Sequence, residues 1–170
     1  MKKLLLTLTT LATLISSTTA QTLEPIDIYE HMRTALSGEW KLSAADKQLG
    51  TTSYKNKYVL PMVGTETTAL AYKDIGFGSS LQEDLLPDSK KQMVTMYHSD
   101  DYVDCTEELR AIHYCTKMKQ PAFILNLKAS TKVKIVFDCN METTLCKSVE
   151  DHIHQIILEF SNGGKHLKSS

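Results

Sequence analysis

The chain has 170 residues, a length that suggests a single domain, and its hydrophobic content of 42% argues against intrinsic disorder. Acidic and basic residues nearly balance, with 20 Asp and Glu against 19 Lys and Arg, for a formal net charge of −1. This balance argues against a protein that binds nucleic acid or an anionic membrane, because such proteins carry a basic face.

The first twenty residues have the pattern of a secretory signal peptide. Lys2 and Lys3 form a positive n-region, residues 4–15 are apolar apart from threonines, and Ala20 ends a small-residue cleavage site. The apolar stretch is too short to anchor the chain in a membrane. We therefore expect a bacterial type of exported protein, periplasmic or secreted, with no transmembrane segment after signal removal. The mature chain would have a net charge of −3, because 17 Lys and Arg would remain against 20 acidic residues.

The mature chain begins with a helical segment, residues 21–36. Pro25 suits the first turn of a helix, and the spacing predicts an amphipathic helix over residues 26–36. The apolar residues that recur at helical spacing are Ile28, Met32 and then Ala35 or Leu36. Gly38 and Trp40 then open the first predicted strand.

Alternation of apolar and polar residues dominates the rest of the chain. It predicts strands over residues 65–73, 79–86, 91–98, 109–117, 121–128, 132–139 and 151–160. A further segment, residues 51–62, contains Pro61 and is expected at a sheet edge. Short turns without strong helices between the strands indicate an all-β antiparallel meander over residues 37–160, forming a barrel or a strongly curved sheet. Residues 161–170 are polar, and we expect them to form a flexible tail.

Four cysteines in an exported protein raise the question of disulfide bonds. Cys139 and Cys146 would join a strand end to the loop after it, which is the most natural local bridge. Cys105 and Cys115 could link two neighbouring segments. Neither pair has the CxxC spacing of a thioredoxin-like redox motif.

Five side chains that could bind a ligand or a metal, or take part in catalysis, are predicted to point into the interior. His113 and Cys115 lie two residues apart in one strand, and His152 and His154 have the same spacing in another, so each pair shares a face with apolar neighbours. Glu83 shares a face with two leucines. The sequence therefore predicts an interior that is more polar than a plain hydrophobic core.

Several interpretations of this interior remain open. The histidines could be satisfied core residues, or they could orient a small hydrophobic or amphipathic ligand in a barrel mouth. They could also bind zinc or copper, with His113, His152 and His154 as a three-histidine site. A nucleophilic Cys115, activated by His152 or His154, would make the protein an enzyme. An interaction protein or secreted effector that uses the outer surface is a further alternative. The sequence identifies no cofactor.

Spaced motifs along the chain resemble a family of small bacterial lipocalin-like proteins of unassigned function. The Gly-x-Trp of residues 38–40 is similar to the start of a lipocalin barrel. Residues 76–121 carry the main resemblance, in GFGSSLQEDLLPDSKKQMVTMYHSDD, then IHYC, then QP. The His-x-His element at residues 152–154 matches a later strand of that family, so the resemblance covers roughly residues 36–160.

The resemblance implies a calycin-type barrel and does not imply a settled activity. The chain departs from the family pattern at Ile112, where the family has Thr, and at Met118, Lys119 and Ala122, where it has Gly, Asn and Arg. Family members also continue with one more strand after the position of Phe160. From the residues and the resemblance together, we expect an exported β-barrel that binds a small molecule in a His-lined interior pocket.

Overall fold

The computed structural model of the chain describes residues 23–44, 58–99 and 108–170. The predicted signal peptide, most of the predicted edge segment at 51–62, and Cys105 lie outside these ranges. No helix within the described ranges is both long and apolar enough to cross a membrane.

The described residues form two helices and nine strands. The helices are α1 (Pro25–Leu36) and α2 (Thr144–Lys147). The strands are β1 (Gly38–Lys41), β2 (Thr68–Ile75), β3 (Ser80–Leu85), β4 (Met93–Ser99), β5 (Leu109–Tyr114), β6 (Ala122–Leu125), β7 (Lys134–Cys139), β8 (Gln155–Ser161) and β9 (His166–Ser169). Single turns of 3₁₀ helix occur at Leu60–Met62 and Leu127–Ala129.

Each strand pairs with the next one along the chain, so the sheet is an antiparallel meander in the order β1 to β9. The sheet curls strongly into a half-barrel. Within the described strands, β1 and β9 are the two edges and do not pair with each other. The prediction of an all-β meander with a strongly curved sheet and a short N-terminal helix is therefore confirmed.

Helix α1 packs on the buried, concave face of this sheet. The helix begins at Pro25, and the Asp27 carboxylate accepts a hydrogen bond of 3.0 Å from the Glu24 amide, which satisfies one free donor of the first turn. Its apolar stripe is fully buried and belongs to one core cluster with the inward side chains of the sheet. The residues of this stripe are Ile28, Met32 and Leu36. The helix therefore fills much of the space that an empty barrel would leave open.

Two polar contacts join α1 to the end of β2 and to the turn between β2 and β3. Arg33 makes a double ion pair with Asp74, at 3.0 and 2.9 Å, and the Tyr29 hydroxyl donates to the Gly78 carbonyl oxygen at 2.9 Å. Gly78 has a φ of +89°, and a Cβ at this position would lie 2.2 Å from Arg33 Nη2. The positive φ favours glycine here, and a Cβ would also displace the Arg33 guanidinium from its place beside the turn.

The prediction of a flexible tail at residues 161–170 is wrong, because these residues contain strand β9. Ser161 pairs with His166 and Glu159 pairs with Lys168. The turn between the strands has positive φ at Asn162, Gly163 and Gly164, of 51°, 64° and 83°. Asn and Gly tolerate this conformation, so the polar stretch forms a hairpin instead of fraying. A strand does therefore follow Phe160.

Candidate functional site

Four polar side chains lie side by side on the concave face of β2 to β5. Tyr72 pairs with Glu83, Glu83 pairs with Thr95, and Thr95 pairs with His113 in successive strands. Directly paired residues of antiparallel strands point to the same side of the sheet. We call these four residues the polar row. All of them are buried, although they stand in a largely apolar core.

The centre of the polar row is the Glu83 carboxyl group, which is only 6% exposed. The hydroxyl of Tyr97, two residues beyond Thr95 on the same face, donates to Glu83 Oε2 at 2.6 Å. Burial raises the pKa of Glu83, although the hydrogen bond from Tyr97 opposes that rise. Tyr72 approaches the same carboxyl and also lowers its pKa, but without the alignment of a regular hydrogen bond.

These surroundings favour the neutral form of every acid in the group. Burial raises the pKa of Tyr72 and Tyr97 well above the ordinary value, and the charge of Glu83 adds to the effect. A carboxyl group that stays protonated to higher pH than usual can donate as well as accept a hydrogen bond. The row therefore places polar groups whose charged forms are disfavoured by burial in an apolar environment.

His113 ends the polar row and has an unused ring nitrogen. Its side chain is 3% exposed, and Nδ1 lies 3.0 Å from the Thr95 hydroxyl. Burial lowers the pKa of His113, which favours the neutral imidazole. Nε2 is enclosed and has no hydrogen-bond partner among the described residues. Because buried polar atoms are nearly always paired, this nitrogen is an exception in the described part of the core.

Two shallow depressions in the surface lie away from the polar row. One, of about 310 Å³, is lined by the outer side of α1, including Glu30 and His31, together with Lys132. The other, of about 440 Å³, is lined by residues 124–128 and 138–141. Neither includes a member of the polar row.

The structure separates the five predicted site residues into two groups. His113 and Glu83 point into the interior, as predicted. Cys115 lies just past the end of β5, where it is half-buried and has a free thiol. His152 is half-buried and His154 is exposed, so neither belongs to the interior.

The placement of His152 and His154 in the interior was wrong because β8 begins only at Gln155. The alternating burial predicted for this strand holds for Ile156, Leu158 and Phe160 but does not extend to the residues before it. The extended segment that contains the two histidines lies instead beside the end of β7, where the Cys139 amide donates to the His154 carbonyl oxygen at 2.9 Å.

The disulfide between Cys139 and Cys146 is present, as expected from their short separation. Cys115 is a free cysteine, and Cys105, with which it could have paired, lies outside the described residues. Within the described ranges, one group of three metal-ligating side chains has its donor atoms within 4.8 Å of one another, and it consists of Cys139, Cys146 and His152. The three-histidine site that includes His113 is not among such groups.

Three residues of the interior site were missed by the sequence analysis, namely Tyr72, Thr95 and Tyr97. Their strands were predicted, and alternation alone assigns Thr95 and Tyr97 to one face of β4. What alternation does not supply is the register that places Tyr72 and Thr95 on either side of Glu83.

Comparisons with known protein families, with curated protein sequences and with solved structures found no significant match for this chain.

Proposed function

We propose that this protein is exported and binds a small amphipathic molecule on the concave face of its half-barrel, with the head group of the ligand at the polar row. The observation that carries the proposal is the unpaired Nε2 of buried His113, two strands from the buried carboxyl of Glu83. Small-molecule sites typically place a few polar groups in an apolar cavity, and this face has that composition.

The chemistry of the polar row selects the class of head group. Neutral His113 offers one hydrogen bond through Nε2, and Glu83 offers a carboxyl group that burial tends to keep protonated. A neutral head group with both a donor and an acceptor, such as an alcohol, an amide or an amine with an N–H, complements these groups. An anion would lie beside Glu83 without any cation of the row to pair with it.

Helix α1 is the element that would have to move when such a ligand binds. Its side chains Ile28, Met32 and Leu36 are fully buried on the same face. The ion pair of Arg33 with Asp74 is partly exposed, with side chains 25% and 39% accessible, and pairs of this kind contribute little stability. The helix packs on the sheet through side chains and not by strand pairing, so it is the element that a ligand on the concave face would have to displace.

A neutral fluorescent probe tests the proposal directly. N-phenyl-1-naphthylamine has an apolar body and one N–H donor, and its emission rises when it leaves water. We expect saturable binding of one probe per mature chain. His113→Leu should weaken this binding about tenfold, because one hydrogen bond to a buried group contributes about 1.4 kcal/mol.

The matched control is His154→Leu, which removes an exposed histidine that lies outside the polar row. Its dissociation constant for the probe should equal that of the wild type. Binding that is not saturable, or equal affinity in the wild type and His113→Leu, would contradict the proposal.

Export is supported by the n-region, apolar stretch and cleavage site at residues 1–20 and by the presence of a disulfide, which is typical of oxidising compartments. Intact mass measurement of protein from a bacterial periplasmic extract should give a chain that begins at Gln21. A chain that keeps residues 1–20 and stays in the cytosolic fraction would contradict export.

A further inference from the structure

The disulfide of the half-barrel has an unusual neighbour in His152. Cys139 lies at the end of β7, Cys146 lies in α2, and both are buried, with 7% and 3% exposure. A donor atom of His152 lies within 4.8 Å of both sulfurs. This site is separate from the polar row, and its chemistry does not depend on whether a ligand binds at that row.

The His152 ring has an available lone pair at Nε2. Nδ1 is hydrogen-bonded to the backbone carbonyl of Glu150. Because a carbonyl oxygen only accepts, Nδ1 must carry the proton, and Nε2 must then have a free lone pair. Nε2 is enclosed and makes no hydrogen bond to any described residue. A histidine whose Nδ1–H is held by a carbonyl in this way has the arrangement of a metal ligand.

Contacts that do not involve the disulfide also hold the segment that precedes His152. Lys119, from the turn after β5, contacts the residues that precede the histidine, with Nζ 2.8 Å from the Asp151 carbonyl oxygen and 3.1 Å from Glu150 Oε2. Lys117 makes an ion pair with the Asp151 carboxylate. The loop would therefore keep the histidine near both sulfurs after the S–S bond is broken.

We propose that Cys139, Cys146 and His152 form a redox-gated zinc site, which is open to metal only when the disulfide is reduced. A dithiol or phosphine reductant supplies the two electrons: with a dithiol, the S–S bond breaks, two protein thiols form and the reductant becomes a disulfide. Zn²⁺ then displaces one proton from each thiol and binds two thiolates and Nε2. The oxidised form has only one ligand to offer, because disulfide sulfurs are poor donors.

The ligand set determines the choice of metal. Two thiolates and one imidazole suit zinc, whose tetrahedral sites have metal–sulfur distances of about 2.3 Å and metal–nitrogen distances of about 2.0–2.1 Å. Hard cations such as Mg²⁺ and Ca²⁺ require oxygen ligands, and this set has none. Three protein ligands leave the fourth position of a tetrahedral zinc for water.

The test uses the mature chain with Cys105→Ser and Cys115→Ser, so that the two thiols of the site are the only ones present. Co²⁺ alone is added to oxidised and to phosphine-reduced protein without oxygen, and Zn²⁺ affinity is measured by competition with a chromophoric chelator. We expect one Co²⁺ per reduced chain, with a thiolate-to-metal absorption band in the near ultraviolet. We expect no such band in the oxidised chain.

His152→Ala should weaken zinc binding to the reduced chain at least tenfold, whereas His154→Ala should leave it unchanged. His154 is the matched control because its ring centroid lies 4.1 Å from that of His152, yet it is outside the ligand group. Circular dichroism in the near ultraviolet monitors the fold throughout. Equal zinc affinity in His152→Ala and the parent would overturn the proposal. So would a reduced chain that unfolds and does not regain its spectrum on addition of Zn²⁺.

Discussion

The concave face of the half-barrel has two parts that share strand geometry and differ in chemistry. Strands β2 to β5 carry the polar row, whereas the inward positions of β7 and β8 are apolar. These apolar residues are Ile135, Phe137, Ile156, Leu158 and Phe160. Apolar burial stabilises a fold, while buried polar groups at best offset their own desolvation. We infer that β7 and β8 supply stability, and that the row has a composition suited to binding.

Tyr97 joins the two parts. Its ring centroid lies 5.3 Å from that of Phe137, and its hydroxyl donates to Glu83. The ring thus belongs to the apolar part and the hydroxyl to the polar part. Removing the ring's partner Phe137, or removing the hydroxyl of Tyr97, therefore separates the contribution of the apolar part to stability from that of the polar part.

The largest loss of stability is expected from Phe137→Ala. Phe137 is fully buried, and removing its ring loses apolar burial and leaves a cavity, at a cost of about 3–5 kcal/mol. Urea denaturation followed by circular dichroism measures the change in unfolding free energy. Val133→Ala is the control, because Val133 is 64% exposed and its truncation should change stability by less than about 0.5 kcal/mol. A loss below about 1 kcal/mol in Phe137→Ala would show that the apolar part does not dominate.

Tyr97→Phe tests the hydroxyl while it keeps the ring against Phe137. The Glu83 carboxyl loses the donor at 2.6 Å, and leaving a buried acceptor unpaired costs about 1–3 kcal/mol. The same denaturation experiment applies. Tyr114→Phe is the matched control, since Tyr114 is 43% exposed and stands outside the polar row. Equal stability of the two variants would mean that the bond from Tyr97 to Glu83 contributes nothing.

The sequence was sufficient to predict helix α1, strands β1 to β8 and the inward face of β5, but not α2 or β9. Period-two alternation depends only on local geometry, so Leu109, Ala111 and His113 were assigned to the interior correctly. The short Cys139–Cys146 disulfide was predictable for the same reason, because a separation of seven residues holds the two thiols close. Alternation and short sequence separation therefore give correct predictions where the structure is determined by residues close together in the chain.

The remaining features depend on contacts between distant residues. The amphipathic pattern of α1 shows that one side is buried but not that this side fills the half-barrel. The polar row exists because register aligns Tyr72, Glu83 and Thr95, and the alternation within one strand does not say which residue of the next strand lies opposite. His152 was misplaced because the alternating pattern continues through residues that precede the hydrogen-bonded strand.

The titration of Glu83 should make the free energy of unfolding depend on pH. Glu83→Gln should remove this dependence, because Gln does not titrate. Burial raises the pKa of Glu83 in the folded chain above the ordinary value of 4.5, so the folded state holds a proton that the unfolded state has lost. Unfolding free energy must then fall as pH rises from about 4.5 through the raised pKa. The difference between the wild type and Glu83→Gln, measured by denaturation across this range, isolates the effect. A flat difference would contradict it.

His113 should give the opposite sign. Burial lowers its pKa below the ordinary value of 6.5, so the unfolded chain takes up a proton that the folded chain does not. Its contribution to stability is present above pH 6.5 and is lost as pH falls through that value toward the lowered pKa. On acidification, the unfolding free energy of the wild type should therefore fall relative to that of His113→Leu. Relative to Glu83→Gln, it should rise.

The smallest effect on stability is expected from the double variant Thr95→Val with His113→Leu. This variant also best separates a role of the polar row in stability from a role in binding the probe. His113→Leu alone should cost about 1–2 kcal/mol, because it removes the ring that pairs with the buried Thr95 hydroxyl. Replacing both partners by apolar groups of similar shape leaves no buried group unpaired at that contact, so the double variant should lie within about 1 kcal/mol of the wild type. A double-mutant cycle with Thr95→Val measures the coupling between the two residues. Probe binding should nevertheless be lost to the same extent as in His113→Leu. Wild-type affinity for the probe in a stable double variant would show that the polar row contributes to the core and not to binding.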